Sequence, residues 1–311
     1  MKIAIVMATY KGQELVEEQF QSLFRQSQLP DEIVVRDDCS PDKTMEKLEQ
    51  IRKESPVPVT IHSGKTNLGY IRNFTEALKT AQADIYFYCD QDDVWFPNKI
   101  EKHLGIYKAS PATLAIISNQ EIVGPDLTPS GRTSLAEITN IRRTDHDFVH
   151  GCCTSFRHGL YPAAIAPPKY FAHDDWIHAL ASACGRRIVI EQPLQLFRRH
   201  DRTTTSSQFN SVGGRVSRKF SSKMEVMANL HKRAEMSFAT ANALKDLVFP
   251  NSDNTVGVED SLQQAQAMTI RANELERGIP ALPSMIRGVC NGRRSVREFL
   301  VDSVRILGVR S

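Results

Sequence analysis

Ile85-Tyr86-Phe87-Tyr88-Cys89-Asp90-Gln91-Asp92-Asp93-Val94-Trp95-Phe96-Pro97 is the stretch from which the fold is read. Its first five residues are mostly β-branched or aromatic and read as a buried strand, and the carboxylates begin where that run stops. Three acids within four residues repel one another, so a fold keeps them together only against positive charge. A divalent cation, Mg²⁺ or Mn²⁺, supplies that charge, because it takes hard oxygen ligands and needs only one or two carboxylates beside water and phosphate. A solvated acidic turn capping a helix that starts near Pro97 is the competing reading of these residues alone.

Toward the N-terminus, strand and helix alternate. Residues 2–8 form a short apolar strand ending in Thr9-Tyr10-Lys11-Gly12, and Val16, Phe20, Leu23 and Phe24 make the stripe of an amphipathic helix over 14–26. Residues 32–36 form a second strand that stops at Asp37-Asp38-Cys39-Ser40-Pro41-Asp42, where Ser40 or Asp42 can cap a helix over 43–54. Residues 57–62 form a third, leaving through Asn67-Leu68-Gly69 into a helix that carries Ile71, Phe74 and Leu78. Four such alternations imply right-handed βαβ units and a largely parallel sheet. Ligands of such sheets bind outside the carboxyl ends of the strands. Thr9-Tyr10, Asp37-Asp38, Asn67-Gly69 and Asp90-Asp93 all fall at those ends, so the four clusters are expected to converge on one site.

Toward the C-terminus, the pattern predicts a helix over 98–108, a strand over 114–118 and a long Pro/Gly/Ser/Thr-rich loop over 124–144, with room for a hairpin. A strand over 148–156 follows, in which Gly151 allows close backbone approach. His173-Asp174-Asp175-Trp176 opens a helix through Ala183, and residues 188–197 supply the last extended stretch, ending in Arg198-Arg199-His200. The polar run 206–214 suggests a domain boundary, giving a first domain over 1–206 and a helical extension over 207–311, with helices near 223–247, 261–277 and 295–307. Asp145-His146-Asp147 matches no motif and reads as loop.

A chain of 311 residues, 41% hydrophobic and 24% charged, is a globular protein of one large or two ordinary domains. The net charge of +3 is uneven. From residue 206 onward, 15 Lys and Arg face 10 Asp and Glu, a net +5, which leaves −2 for residues 1–205. Six cysteines without C-x-x-C spacing suit reduced, mostly buried thiols. No signal-peptide core and no apolar run of spanning length is present, which predicts a cytoplasmic protein. In the last predicted helix Val296, Phe299, Leu300, Val304 and Leu307 form an apolar stripe flanked by arginines. Docking on the first domain is the favoured reading, and peripheral contact with the inner face of an anionic membrane is the other.

Six segments together resemble the inverting family 2 glycosyltransferases of the GT-A fold that build bacterial surface polysaccharides, the rhamnosyltransferases included. They are Met7-Ala8-Thr9-Tyr10-Lys11-Gly12, Arg36-Asp37-Asp38-Cys39-Ser40-Pro41-Asp42-Lys43-Thr44, Asn67-Leu68-Gly69 with Asn73-Phe74, Asp90-Gln91-Asp92-Asp93-Val94-Trp95, His173-Asp174-Asp175-Trp176 and Arg198-Arg199-His200. The resemblance spans residues 2–206. It implies an α/β fold: a three-layer α/β/α sandwich around a mostly parallel sheet, followed by the helical extension.

It also implies a nucleoside-diphosphate-sugar donor, UDP- or dTDP-linked, a glycan or lipid-linked acceptor, and no nucleic-acid partner. Thr9, Tyr10, Asp37 and Asp38 match positions that hold base and ribose, with Asn67 and Gly69 beside them. Asp92 and His200 match the metal ligands, for Mn²⁺ or Mg²⁺, with Asp90 alongside. Arg198 matches a phosphate partner and Asp174 the catalytic base. Two departures stand out: Cys39 replaces the usual glycine of the second motif, and Asp175 stands where an aromatic is common. A nucleotide-sugar-binding or membrane-associated protein without catalysis is the alternative from another class. A sugar-phosphate nucleotidyltransferase is disfavoured, because residues 9–12 are not a Gly-rich, Arg-bearing phosphate loop.

Overall fold

A computed structural model describes residues 1–140, 148–169, 171–199, 223–247 and 255–277. The expectations for Asp145–Asp147, His200, the 206–214 boundary and the helix over 295–307 lie outside these residues.

The apolar runs become strands and the amphipathic stripes become helices in the predicted order. The elements are β1 (Ile3–Thr9), α1 (Val16–Phe24), β2 (Glu32–Asp37), α2 (Thr44–Glu54), β3 (Val59–Ser63), α3 (Tyr70–Leu78), β4 (Ile85–Cys89), β5 (Val94–Trp95) and α4 (Lys99–Ala109). They continue with β6 (Ala115–Val123), β7 (Pro129–Thr133), α5 (Ser134–Asn140), β8 (Thr154–Arg157), α6 (Tyr161–Ala164), α7 (His173–Ala183) and β9 (Arg187–Arg198). Two long helices, α8 (Lys223–Asp246) and α9 (Thr255–Arg277), belong to a second compact unit that begins after Thr204.

The nine strands among the described residues form one sheet in the order β3-β2-β1-β4-β8-β6-β9-β5, with β7 paired to β6. The first four are parallel, as the alternation predicts, with Ile5 opposite Ile33 on one side and Phe87 on the other. Beyond β4 the sheet is mixed: β8 runs antiparallel to both β4 and β6, β6 and β9 are parallel, and β5 closes antiparallel on β9. Ile5, Met7, Val35, Phe87 and Cys89 face Phe20, Leu23, Leu48, Ile100 and Leu104 in one fully buried core. At about 25 cal/mol per Å² of buried apolar area, this layer is the main force holding the loops of the carboxyl edge in register.

Three segments differ from the sequence expectation. Residues 148–153 are not strand: Gly151–Cys153 form a 3-10 turn, and the ladder starts only at Thr154. The 124–144 loop contains a hairpin strand, β7, and also the helix α5, which its composition concealed. Val94-Trp95, to which the sequence reading gave no element, is a two-residue strand, because the chain doubles back to meet Leu196 and Gln195. The helix predicted from residue 43 starts at Thr44, and Asp42 rather than Ser40 serves its first turn, its Oδ1 accepting from the Thr44 N–H (3.1 Å) and Oγ1–H (2.5 Å).

Candidate active site

The loops after β1, β2, β3 and β4 meet at the carboxyl edge of the sheet. Gln91, in the middle of the acidic turn, ties that turn to the loop after β1: its Oε1 accepts from Tyr10 N–H (2.9 Å) and its Nε2 donates to Tyr10 O (3.0 Å). Gly12 leaves room for that amide, since a Cβ there would lie 2.3 Å from Gln91 Oε1 and would push the side chain off Tyr10. Thr9 Oγ1 donates to Asp37 Oδ1 (2.9 Å), and Asp37 also accepts from Ser40 N–H (2.7 Å) and Oγ–H (2.6 Å). Asp38 accepts from the backbone N–H groups of Leu68 and Gly69, both at 2.8 Å, and Asn67 Oδ1 accepts from the same Gly69 N–H (3.1 Å). Gly69 has φ 79°, a left-handed conformation that favours glycine, and α3 starts directly behind it. Both carboxylates, expected at base and ribose, are buried and occupied by donors of the protein, Asp37 by Thr9 and Ser40 and Asp38 by the Leu68–Gly69 backbone. They shape the rim, which leaves Tyr10, 40% exposed, as the open group on that side.

Below the acidic turn lies a buried polar network. Asp93 Oδ2 accepts from Gln195 Nε2 (2.9 Å) and Oδ1 from Arg198 N–H (3.4 Å). Gln195 Nε2 also donates to Gln120 Oε1 (3.0 Å), and Gln195 Oε1 accepts from the Lys99 ammonium. Lys99 is fully buried, donates to Cys152 O (2.6 Å) and lies 3.7 Å over the Trp95 ring. Cys153 Sγ–H donates to Gln120 Oε1 (2.9 Å). Burial, then the charge of Asp92, pushes Asp93 up to about 7. Burial also raises Asp90 well above the carboxylate range, with the charges of Asp92, Asp93 and Asp174 adding to it. Arg198, expected at the diphosphate, is spent internally: its guanidinium donates to Asp92 O (3.0 Å), to Pro125 O and to the Glu18 carboxylate. It braces the turn from below.

Among the described residues, one ligand atom each from Asp90, Asp93 and Cys152 lie within 4.8 Å of one another, a group that does not include Asp92, the ligand expected from the sequence. The Cys152 thiol is raised well above its ordinary value by its hydrogen bond with Cys153 and by burial, so it stays protonated, and its Sγ–H donates to Gln120 Oε1 (3.5 Å). The remaining donors are hard carboxylate oxygens whose mutual repulsion a divalent cation would relieve, and that set fits Mg²⁺ or Mn²⁺ rather than a thiolate-seeking metal.

Asp174 sits in the first turn of α7, 15% of its side chain exposed. Burial raises its carboxyl above the ordinary range, while the N–H groups of Asp175, Asp174 and Gly151 and the nearby His150 pull the other way. Asp174 Oδ1 accepts from Asp175 N–H (3.0 Å). His173 is 3% exposed, stacks on Phe74 (4.2 Å, 16°) and meets Tyr88 edge-on (4.7 Å, 84°). Burial lowers it to about 3, so it is a neutral plate behind the carboxylate. A Cβ on Gly151 would stand 2.9 Å from His173 Nε2 and 3.5 Å from Asp174 Oδ2. Gly151→Ala therefore displaces the start of α7, and turnover is expected to fall about tenfold or more with only a small drop in melting temperature. A variant with unimpaired kcat would show that this close approach does not set the position of Asp174.

The structure thus brings Thr9, Tyr10, Asp37, Asp38, Asn67, Gly69, Asp90, Asp92, Asp174 and Arg198 to one edge, with His200 outside the described residues. Gln91, Lys99, Cys152 and Gln195 were not anticipated. Only Gln91 carried a signal, by standing inside the D-x-D-D run.

The family model described as Glycosyl transferase family 2 matches residues 4–162. The dTDP-rhamnosyl transferase RfbG of Shigella flexneri is 25% identical over 268 residues, covering 79% of this chain and 87% of its own. Among solved structures, S. aureus TarS 1-349 in complex with UDP-GlcNAc aligns with a TM-score of 0.59 at 16% identity, over 98% of this chain and 90% of its own. The mannosyltransferase PcManGT of Pyrobaculum calidifontis, in complex with GDP-Man and Mn²⁺, aligns with a TM-score of 0.53 at 16% identity, over 98% and 84%. These two likenesses carry the GT-A fold. With the family model spanning half the chain and the acidic turn at its centre, the chain belongs to the family 2 glycosyl transferases and is a transferase enzyme.

Proposed function

We propose that the enzyme is a metal-dependent, inverting glycosyltransferase of surface-polysaccharide assembly, using a UDP- or dTDP-sugar and a glycan or lipid-linked acceptor. The observation that carries this reading is geometric: His173, the residue before Asp174 in the first turn of α7, packs edge-on against Tyr88 of β4 (4.7 Å, 84°), the strand that runs into Asp90. A base and a cation-holding turn thus share one edge of the sheet, as displacement of a diphosphate from an anomeric carbon requires.

In the proposed step an acceptor hydroxyl attacks the anomeric carbon from the face opposite the diphosphate. The new C–O bond forms as the bond to the β-phosphate oxygen breaks, and the hydroxyl proton passes to a carboxylate oxygen of Asp174. The nucleoside diphosphate leaves with the bonding pair. Asp90, from the convergent pair with Asp93, would hold the metal with Asp92 beside it in the turn and His200 as a further ligand, and the ion would neutralise charge developing on the leaving diphosphate. Tyr10 presents a ring to the base, Thr9 and Asp37 set its loop, and Asp38 with Asn67 holds the Leu68–Gly69 backbone in place. Arg198 and Gln195 fix Asp93 and so the height of the turn.

The catalytic domain is assigned to residues 1–206 and the helical extension to 207–311. No helix among the described residues is long and apolar enough to cross a membrane. The proposed location is cytoplasmic, with peripheral contact through the basic C-terminal segment where the acceptor is lipid-linked.

A thermal-shift panel of UDP, dTDP and GDP, each with and without Mn²⁺ or Mg²⁺, tests the donor and metal assignments together. A ligand at about 100 times its Kd adds roughly 2.7 kcal/mol to a native state it binds selectively. One nucleotide is expected to stabilise only with metal, and Asp92→Asn to remove the effect. Equal stabilisation with and without metal would overturn the metal assignment, and no stabilisation by any nucleotide would favour the non-catalytic alternative.

A further inference from the structure

Tyr70 is the first residue of α3, directly after the left-handed Gly69, and half of it is exposed. A single exposed tyrosine is ordinary on a protein surface. Three observations set this one apart. It stands at the carboxyl edge of the parallel strands, where Tyr10 is the other exposed aromatic ring among the described residues of the sheet-bearing unit. His173, the residue before Asp174, meets its ring edge-on (6.1 Å, 75°) and is itself wedged against Phe74 and Tyr88, so the Tyr70 ring is supported from behind. Its hydroxyl is raised first by partial burial and then by the charges of Asp174, Asp175 and Asp90, which places it within electrostatic reach of all three.

We propose that Tyr70, backed by His173, is the platform on which the ring of an acceptor saccharide stacks beside Asp174. Tyrosine offers a broad apolar face with few rotatable bonds to freeze, and a pyranose offers a face of C–H groups to lie on it. The local charge decides between acceptor classes. Asp174 and Asp175 open α7 directly after His173, the ring that Tyr70 meets, and their carboxylates repel an anionic acceptor such as a bare polyprenyl phosphate and accept hydrogen bonds from the hydroxyls of a neutral sugar. Tyr10 and Tyr70 then divide the edge, with Tyr10 on the nucleotide side by Gln91 and Ser40, and Tyr70 on the acceptor side by Asp174. This subsite rests on the reading of Asp174 as the base.

The test is steady-state transfer from the donor identified by the thermal-shift panel to p-nitrophenyl glycosides of rhamnose, N-acetylglucosamine and glucose, with a polyprenyl phosphate as the contrasting acceptor. Tyr70→Ala is expected to raise the KM of the glycoside that is used by about tenfold, a loss of about 1.4 kcal/mol of binding. The KM for the donor should move far less, and Tyr70→Phe, which keeps the ring, should restore the acceptor KM. Transfer to the polyprenyl phosphate but to none of the glycosides overturns the proposal. So does a Tyr70→Ala variant whose acceptor KM is unchanged, or whose donor and acceptor KM rise together. Failure of the base reading is distinguishable, because transfer would then survive Asp174→Asn whatever Tyr70→Ala does.

Discussion

Asp174→Asn is expected to lower kcat for sugar transfer by about 10²–10⁴-fold, the range a positioned general base supplies. The amide keeps an oxygen to accept the Asp175 N–H, so the first turn of α7 retains its hydrogen bond. Because burial raises the Asp174 carboxyl, the folded protein bears a cost for ionising it at neutral pH, and a neutral amide removes that cost. The melting temperature of the variant should therefore equal or exceed that of the wild type, separating loss of chemistry from loss of fold. The same shift fixes the sign of the pH dependence. The base works only when deprotonated, so kcat at saturating donor should fall as pH drops through a value above the ordinary aspartate value of about 3.9, and reach its plateau above it. An acid limb at or below about 4, or an Asn variant within tenfold of wild type, would assign the proton to another group.

Most of the parallel half of the fold was legible because periodicity and burial agree there. The α7 boundaries follow from an acidic first turn and an apolar stripe, and both survive in the structure. The failures occur where a contact distant in sequence overrules a local pattern. Gly151-Cys152-Cys153 looks extended, yet it turns so that Gly151 meets Asp174 and Cys152 reaches the carboxyls of Asp90 and Asp93. Val94-Trp95 becomes a strand only because β9 arrives from a hundred positions away. At the site, carboxylates in motifs were easy to find, but their duties were not. Asp37 and Asp38 look like ligand groups in sequence and are occupied by backbone and hydroxyl donors in the fold. Gln195 and Lys99 read as one polar residue in a strand and one surface lysine, since nothing local reveals that they pair beneath an acid turn.

Lys99→Met is expected to destabilise the fold by about 3 kcal/mol, within the range for removing one partner of a buried charged network. Methionine matches the length and apolar stem of lysine, so the packing against Trp95 is largely kept and the loss is polar. Two acceptors, Cys152 O and Gln195 Oε1, lose their ammonium donor in a site that excludes water, at about 1–3 kcal/mol each. The second effect travels one hydrogen bond further. Gln195 owes its orientation to Lys99: with Oε1 on the ammonium, its Nε2 faces Asp93 and Gln120. Without Lys99 nothing holds that amide in its present flip, and the Asp93 carboxyl, already pushed up by burial, also loses the nearby positive charge that favours its ionised form. The acidic turn should then lose its fixed height, so metal-dependent stabilisation by the nucleotide should weaken at least tenfold although Lys99 touches neither. Lys99→Arg tests the network from the other side. It keeps a cation and its donors but is too large for a fully buried site, and should destabilise through overpacking by about 1–3 kcal/mol. A Lys99→Met variant that melts within about 2 °C of wild type and binds nucleotide normally would show that the carboxylates hold their places without a buried cation beneath them.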